Sequence, residues 1–166
     1  MVTGNPITLL ILGCHPTEPV DSVPQPLVEL SAWEILGDDQ DPIGPAPSPC
    51  APTAVHEETG FLEIETDDCP WVTVGQLSGA RVGPEHELAI LAWHSSLAAA
   101  EPATGHMSLW IGDEEIWRIE PAIPGDPEIH EASVQVTQEH AAGSWVRLHV
   151  HNHGANAWRL GRLERR

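Results

Sequence analysis

Eight short runs with strand character fill the C-terminal two thirds of the chain. In the run 61–66, apolar and polar residues alternate, which is the period of a β-strand whose two faces meet different surroundings. Gly, Pro and Asp residues separate the runs, as expected of turns. The runs cover residues 61–66, 71–74, 87–93, 106–111, 115–119, 132–137, 145–151 and 157–163. This pattern predicts an all-β fold.

The spacing of the runs narrows the architecture further. Gly112 and Asp113 separate two runs in the manner of a hairpin turn. The run 87–93 is almost continuously apolar, which is typical of a central strand buried on both faces. We predict an antiparallel β-sandwich, with a jelly roll as the first arrangement and an immunoglobulin-like one as the second. Residues 95–101, before Pro102, have the composition of one or two helical turns.

Proline divides the chain into zones. Residues 15–55 hold nine of the sixteen prolines, together with many acidic residues. Proline removes a backbone donor and like charges repel, so this zone is predicted to be a disordered tether, followed by a β-sandwich domain at 56–166. An apolar island at 27–36 interrupts the tether. It is either a docking motif for a partner or a segment that lies back on the domain and covers a sheet edge.

The N-terminus carries an apolar run, Ile-Thr-Leu-Leu-Ile-Leu-Gly at 7–13, which is followed at once by Cys14. This sequence resembles the lipobox of bacterial lipoproteins. The resemblance implies that residues 1–14 are the signal peptide and lipobox and that Cys14 carries a lipid. The protein would then lie in the cell envelope, at the outer membrane or cell surface, held to the bilayer by that anchor alone. The alternative is a buried N-terminal strand that ends at a free thiol.

The other two cysteines are also informative about the cellular location of the protein. If Cys14 is lipidated, Cys50 and Cys69 remain, and they are expected to form a disulfide in an oxidising compartment. The alternative is two unrelated buried thiols.

Net charge argues against two classes of partner, nucleic acids and anionic membrane surfaces. The chain has 25 acidic and 7 basic residues, for a formal net charge of −18, and every basic residue is an arginine. Nucleic-acid backbones and anionic membranes are bound by clustered Lys and Arg. We therefore expect no nucleic-acid partner and no electrostatic binding to lipid headgroups.

One late strand carries a further resemblance. Residues 143–150 read Gly-Ser-Trp-Val-Arg-Leu-His-Val, and a strand ending in Trp and a strand pair precede them. This order is similar to that of carbohydrate-binding modules with a galactose-binding-like jelly roll. The resemblance implies a jelly-roll fold and, more weakly, a glycan ligand.

The same strand supplies the candidate ligand site. Its alternation turns Trp145, Arg147 and His149 to one face, with Asn152 in the loop that follows. An aromatic surface with hydrogen-bond donors is suited to a sugar ring, so we predict that these four residues contact a ligand. Trp145 is expected to be partly exposed. Three other tryptophans sit in apolar strands and are expected in the core: Trp71, Trp93 and Trp117.

Metal binding is the second hypothesis for this strand. His149, His151 and His153 alternate, and histidines two apart on a strand lie about 7 Å from each other, close enough to share Zn or Cu. A further ligand would come from His94, His106 or Met107. The alternative is imidazoles that only hydrogen-bond across strands. A calcium site that combines Asp67 and Asp68 with the loop at 152–156 has weaker support, because no calcium-binding loop motif is present.

Enzyme motifs are missing from the sequence. Residues 75–79 read Gly-Gln-Leu-Ser-Gly, which lacks the central serine of a nucleophile elbow, and neither a zinc-protease motif nor a phosphate-binding loop occurs. We therefore expect a binding module for a glycan or protein rather than an enzyme. Metal binding is the alternative function, and a small hydrolase is a distant third.

Overall fold

The computed structural model describes residues 23–37, 40–41, 43, 50–67 and 69–166. Cys14 and part of the predicted tether, residues 15–22, 38–39, 42 and 44–49, lie outside these residues. In the described part of the chain, no helix is long and apolar enough to cross a membrane. A short 3₁₀ turn covers Pro52–Ala54. The strands are β1 (Gln25–Pro26), β2 (Glu34–Ile35), β3 (Val55–Glu58), β4 (Phe61–Glu65), β5 (Trp71–Leu77), β6 (Glu87–His94), β7 (Ala103–Thr104), β8 (His106–Ile111), β9 (Glu114–Ile119), β10 (Ala122–Ile123), β11 (Glu128–Gln135), β12 (Trp145–His151) and β13 (Ala157–Arg165).

Two antiparallel sheets form a sandwich with jelly-roll connections. One sheet has the order β11-β6-β13-β4-β3, with β1 paired to the end of β13, and the other has the order β2-β5-β12-β8-β9. Among the eight long strands, the first, eighth, third and sixth share one sheet, while the second, seventh, fourth and fifth share the other. An immunoglobulin-like sandwich would place its first two strands in one sheet. The predicted jelly roll is therefore confirmed.

The core lies between the inward faces of the two sheets. On β12, Val146, Leu148 and Val150 are completely buried, as the alternation predicts. On β13, in the facing sheet, Trp158 and Leu160 are also completely buried. Interior packing of this kind supplies most of the driving force for folding.

The tryptophans differ from the sequence-based expectation. Trp93 is only half-buried, because the inward positions of β6 are the even-numbered ones and Trp93 turns outward against Phe61, with ring centroids 5.1 Å apart. Trp71 and Trp117 are likewise half-buried, whereas Trp158 is fully buried. The core prediction is wrong for Trp71 and Trp93, because apolar neighbours in sequence do not reveal which face a residue takes, whereas Trp117 packs against the core although it is only partly buried.

The segment expected to be helical is extended. Leu97 is buried and forms a β-bridge with Gly125, with each residue's backbone N–H donating to the other's carbonyl. Pairing with a distant strand segment therefore overrides the helix-favouring composition of residues 95–101.

Residues 25–36, here called the strap, pack onto the sandwich although they belong to the predicted tether. The strap pairs with β13 through β1 and with β5 through β2, so it crosses from one sheet to the other. Leu27 and Leu36 of the strap are buried against the sandwich, and a Cβ added to Gly75 would lie 2.8 Å from the Leu36 side chain. The apolar island at 27–36 thus covers an edge of the sandwich.

A disulfide joins Cys50 to Cys69, as the cysteine arithmetic predicted, with Cα atoms 4.6 Å apart. It links the chain just before the 3₁₀ turn to the residue two positions before β5. The bridge therefore ties the start of the continuous domain to the five-stranded sheet.

Removing this disulfide should destabilise the domain. The double substitution Cys50→Ser/Cys69→Ser is expected to lower the free energy of unfolding by about 3 kcal/mol, because the bridge restricts the unfolded chain. Urea denaturation with and without dithiothreitol measures the change. Reductant should lower the urea midpoint of the wild type and should not change the midpoint of the double variant. Equal midpoints for the oxidised wild type and the variant would contradict the prediction.

Candidate functional site

The outward side chains of the five-stranded sheet form a polar and aromatic surface, here called the histidine face. Strand β12 turns its three valine and leucine side chains inward, so its remaining residues face outward. Neighbouring strands add residues in register, because Thr73 of β5 and Ser108 of β8 both lie opposite His149. The face comprises Thr73, His106, Ser108, Trp110, Trp145, Arg147, His149 and His151.

His149 is at the centre of the histidine face but is only 5% exposed. Its Nδ1 atom lies 2.7 Å from the hydroxyl oxygen of Thr73, and its ring centroid lies 5.1 Å from that of His106. Burial lowers the pKa of His149 to about 4, and the nearby His106 lowers it further in the same direction. His149 is therefore a neutral, packed imidazole at neutral pH, and little of it is open to a ligand.

Hydrogen bonds also hold the β8 side of the face. The indole N–H of Trp110 donates to the Ser108 hydroxyl oxygen at 3.0 Å, and the Nε2 atom of His106 lies 3.1 Å from the same oxygen. Burial, followed by the positive charge of Arg118, lowers the pKa of His106. These contacts make the middle of the face rigid and largely uncharged.

Trp145 and Arg147 are more accessible than His149, since both are half-buried. The Arg147 guanidinium carbon lies 6.0 Å from the centroid of the Trp145 ring, within cation–π range. The guanidinium also donates to the carbonyl oxygens of Gly112 at 2.7 Å and Gln40 at 3.2 Å. Arg147 is thereby held in place beside the indole.

A groove of about 650 Å³ opens beside Trp145. The strap forms one wall, and the segment from Gly75 to Gly79 forms the other. The carboxyl-bearing residues Glu29 and Glu34 line it, and Leu77, 55% exposed, adds an apolar surface. The sequence did not reveal this groove, because one of its walls comes from the predicted tether.

Asn152 does not belong to this surface, contrary to the prediction. Its side chain is completely buried, and its amide donates to the hydroxyl of Thr66 at 2.6 Å and to the carbonyl of Gly154. Its carbonyl oxygen accepts from Asn156 at 2.9 Å and from the Trp158 indole at 3.3 Å. Both ends of the amide are thus used to hold the loop before β13.

The predicted histidine triad is not assembled as one metal site. The His151 and His153 rings are exposed and 5.0 Å apart, whereas His149 is buried beside Thr73. Of the suggested further ligands, Met107 is in the core and His94 belongs to the opposite sheet. Across the described ranges, the one set of three His, Cys, Asp or Glu side chains with suitably close ligand atoms is His94, Glu128 and His130.

Of the two aspartates suggested for a calcium site, one is among the described residues. Asp67 lines a second groove together with Asn152 and Gly154, and Asp68 is outside the described residues.

Comparison with known proteins gives distant structural likenesses. The sequence matches no protein-family model and no curated protein. The fold is similar to part of the arabinose-bound α-L-arabinofuranosidase MgGH51, with 10% identity over 87% of this chain and 24% of the enzyme, and a TM-score of 0.48. It is also similar to TmCBM61 in complex with β-1,4-galactotriose, with 12% identity, 83% and 90% coverage and a TM-score of 0.46.

A third likeness is to the K1 cleaved adhesin domain of Lys-gingipain from Porphyromonas gingivalis W83. It has 15% identity, covers 81% of this chain and 89% of that domain, and gives a TM-score of 0.42. This chain spans about a quarter (24%) of the arabinofuranosidase but most of the other two proteins.

The buried His149 should make stability depend on acid. Its pKa falls from 6.5 to about 4 on folding, so below pH 6.5 the unfolded chain binds a proton that the folded chain does not. The free energy of unfolding should therefore decrease as the pH drops through this window, by about 3 kcal/mol in total from this residue.

His149→Gln removes that contribution and keeps a polar group beside Thr73. Urea denaturation at about pH 7.5 and about pH 4.5 should show a smaller acid-induced loss of stability in the variant than in the wild type. Equal losses in the two proteins would contradict a neutral, buried His149.

Proposed function

We propose that this protein is an extracytoplasmic binding module, attached to the bilayer by a lipid on Cys14, whose groove beside Trp145 binds a glycan. The observation that carries the proposal is a half-buried indole that lines a groove of about 650 Å³ and lies within cation–π range of a fixed guanidinium. Ligand sites of this kind combine an apolar wall with a few well-placed polar groups.

The chemistry of the groove suits a neutral sugar. The apolar face of a pyranose ring stacks on an indole, and its hydroxyl groups donate to carboxylates and accept from guanidinium groups. Within the groove, Trp145 supplies the indole, and Glu29 and Glu34 supply the acceptors. Arg147, whose guanidinium lies 6.0 Å from the Trp145 ring, would supply donors beside the groove. An anionic sugar is disfavoured, because two glutamates and a net charge of −18 would repel it.

A protein ligand is the second possibility for the same groove. Leu77 is 55% exposed beside Trp145, and an exposed apolar side chain next to an aromatic ring is typical of a protein contact. In that case, glycans should fail to bind, and Trp145 should still be required for the protein partner.

The disulfide supports the location outside the cytoplasm. Bonds such as Cys50–Cys69 persist in oxidising compartments and are rare in the cytosol. The lipobox-like sequence before Cys14 supports the anchor. Between the anchor and the strap, the proline-rich residues would act as a spacer that holds the domain away from the membrane.

Trp145→Ala should abolish or strongly weaken glycan binding. Loss of the stacking surface is expected to lower the affinity by at least about tenfold on a glycan array and in subsequent titration calorimetry with the best ligand. Phe61→Ala is the matched control, because Phe61 is a half-buried ring beneath Arg159 (5.7 Å) on the outer face of the other sheet. If no glycan binds, or if Trp145→Ala binds as well as Phe61→Ala, the glycan proposal fails.

Cys14 should be required for attachment to the membrane. When the full chain is expressed in a bacterial host, radiolabelled palmitate is expected to label the wild type, which should fractionate with membranes. Cys14→Ser should be unlabelled, whereas Cys50→Ser/Cys69→Ser should still be labelled. An unlabelled, unprocessed wild-type chain would contradict the anchor without affecting the groove.

A further inference from the structure

Three side chains with metal-ligand chemistry meet at one end of the six-stranded sheet. His94 is the last residue of β6 and lies opposite Glu128, the first residue of β11. His130 follows two positions later on the same face of β11, opposite Ala92. One ligand atom from each of the three residues lies within 4.8 Å of the others. The antiparallel register therefore brings together residues that are more than thirty positions apart in the chain.

The His94 imidazole is oriented as in a metal ligand. His94 is only 2% exposed, and its Nδ1 atom lies 2.8 Å from the Ser95 carbonyl oxygen. Since a carbonyl oxygen can only accept, Nδ1 carries the proton and Nε2 keeps a lone pair. A metal-bound histidine usually donates its other ring N–H to a carbonyl or carboxylate in this way.

Two buried nitrogen atoms in the cluster have no protein partner. Neither Nε2 of His94 nor Nε2 of His130 makes a hydrogen bond to any residue in the described part of the chain. Leaving a buried polar atom unsatisfied is costly, and a bound ligand is one way in which such atoms become satisfied. Among the described residues, four buried side-chain nitrogens are unpaired in this way, the others being those of Trp33 and Arg162, and two of the four meet in this one cluster.

We propose that His94, Glu128 and His130 bind a divalent transition-metal ion of the zinc type. Two imidazole nitrogens and one carboxylate oxygen are a set that Zn²⁺ accepts, with bonds of about 2.0–2.2 Å and a fourth position left for water. Ca²⁺ and Mg²⁺ prefer all-oxygen sites, so this donor set selects against them. The side chain of Glu128 is 62% exposed, so the open position would face solvent.

The surroundings hold the two imidazoles in place. The His94 ring packs 5.2 Å from the Trp158 ring, and the His130 ring lies 6.4 Å from that of Trp117. The centroids of the two histidine rings are 5.4 Å apart. Only modest side-chain movement would bring the ligand atoms from within 4.8 Å of each other to the spacing of about 3.4 Å set by tetrahedral bonds.

This site is independent of the glycan proposal. It lies on the inward side of the six-stranded sheet, whereas Trp145 is on the outer face of the five-stranded sheet. Metal bound there would join the edge strand β11 to β6, which is next to it in the sheet, and would stabilise the fold.

Metal titration of the untagged full chain tests the proposal. After dialysis against a chelator, calorimetry with Zn²⁺ should show about one equivalent bound, and Co²⁺ should give the visible absorption of a four-coordinate ion. Zn²⁺ should also raise the thermal midpoint. His130→Gln and Glu128→Gln should each weaken Zn²⁺ binding by at least about tenfold.

The double substitution His151→Gln/His153→Gln is the matched control, because it removes an exposed histidine pair elsewhere and should leave binding unchanged. If His130→Gln fails to fold by circular dichroism, the exposed Glu128→Gln decides the matter. The proposal is overturned if the wild type binds no Zn²⁺, if Glu128→Gln binds as tightly as the wild type, or if only the control loses binding.

Discussion

Much of this sandwich depends on the packing and hydrogen bonding of one buried side chain, the indole of Trp158. It projects from β13 into the core with no exposed surface, and its N–H donates to the Asn152 carbonyl oxygen at 3.3 Å. Its ring also packs against His94 at 5.2 Å, and a Cβ at Gly105 would come within 2.9 Å of it. One large side chain thus fixes the loop before β13, orients a histidine and requires a glycine on the segment that passes over it.

Around this indole, buried polar groups form hydrogen bonds with one another instead of with water. The Thr66 hydroxyl accepts from the Asn152 amide at 2.6 Å and donates to the Asn156 carbonyl at 2.7 Å, while the Asn156 amide oxygen accepts from the Ala98 backbone N–H at 2.7 Å. Such a network holds a loop firmly only when its members are all paired. The unpaired ring nitrogens of His94 and His130 stand out against this background.

Strand β12 contributes to both the core and the candidate binding site, and the strap completes that site. The strand gives its inward side chains to the core and its outward ones to the histidine face. Burial covers His149 in the middle of that face, while His151 at one end is exposed and Trp145 at the other end is half-buried. There the strap adds the second wall of the groove. A segment with the composition of a tether therefore contributes both to the covering of a sheet edge and to the candidate site.

The sequence by itself determined the eight long strands, the β-sandwich class and the inward row of β12, because these follow from local periodicity, and the cysteine number favoured the Cys50–Cys69 pairing. Only the tertiary structure decided that Asn152 is internal, that His149 is buried, and that His94 meets Glu128 and His130. Those outcomes depend on strand register and on which sheet covers which face. Register joins residues far apart in the chain, so no local pattern encodes it.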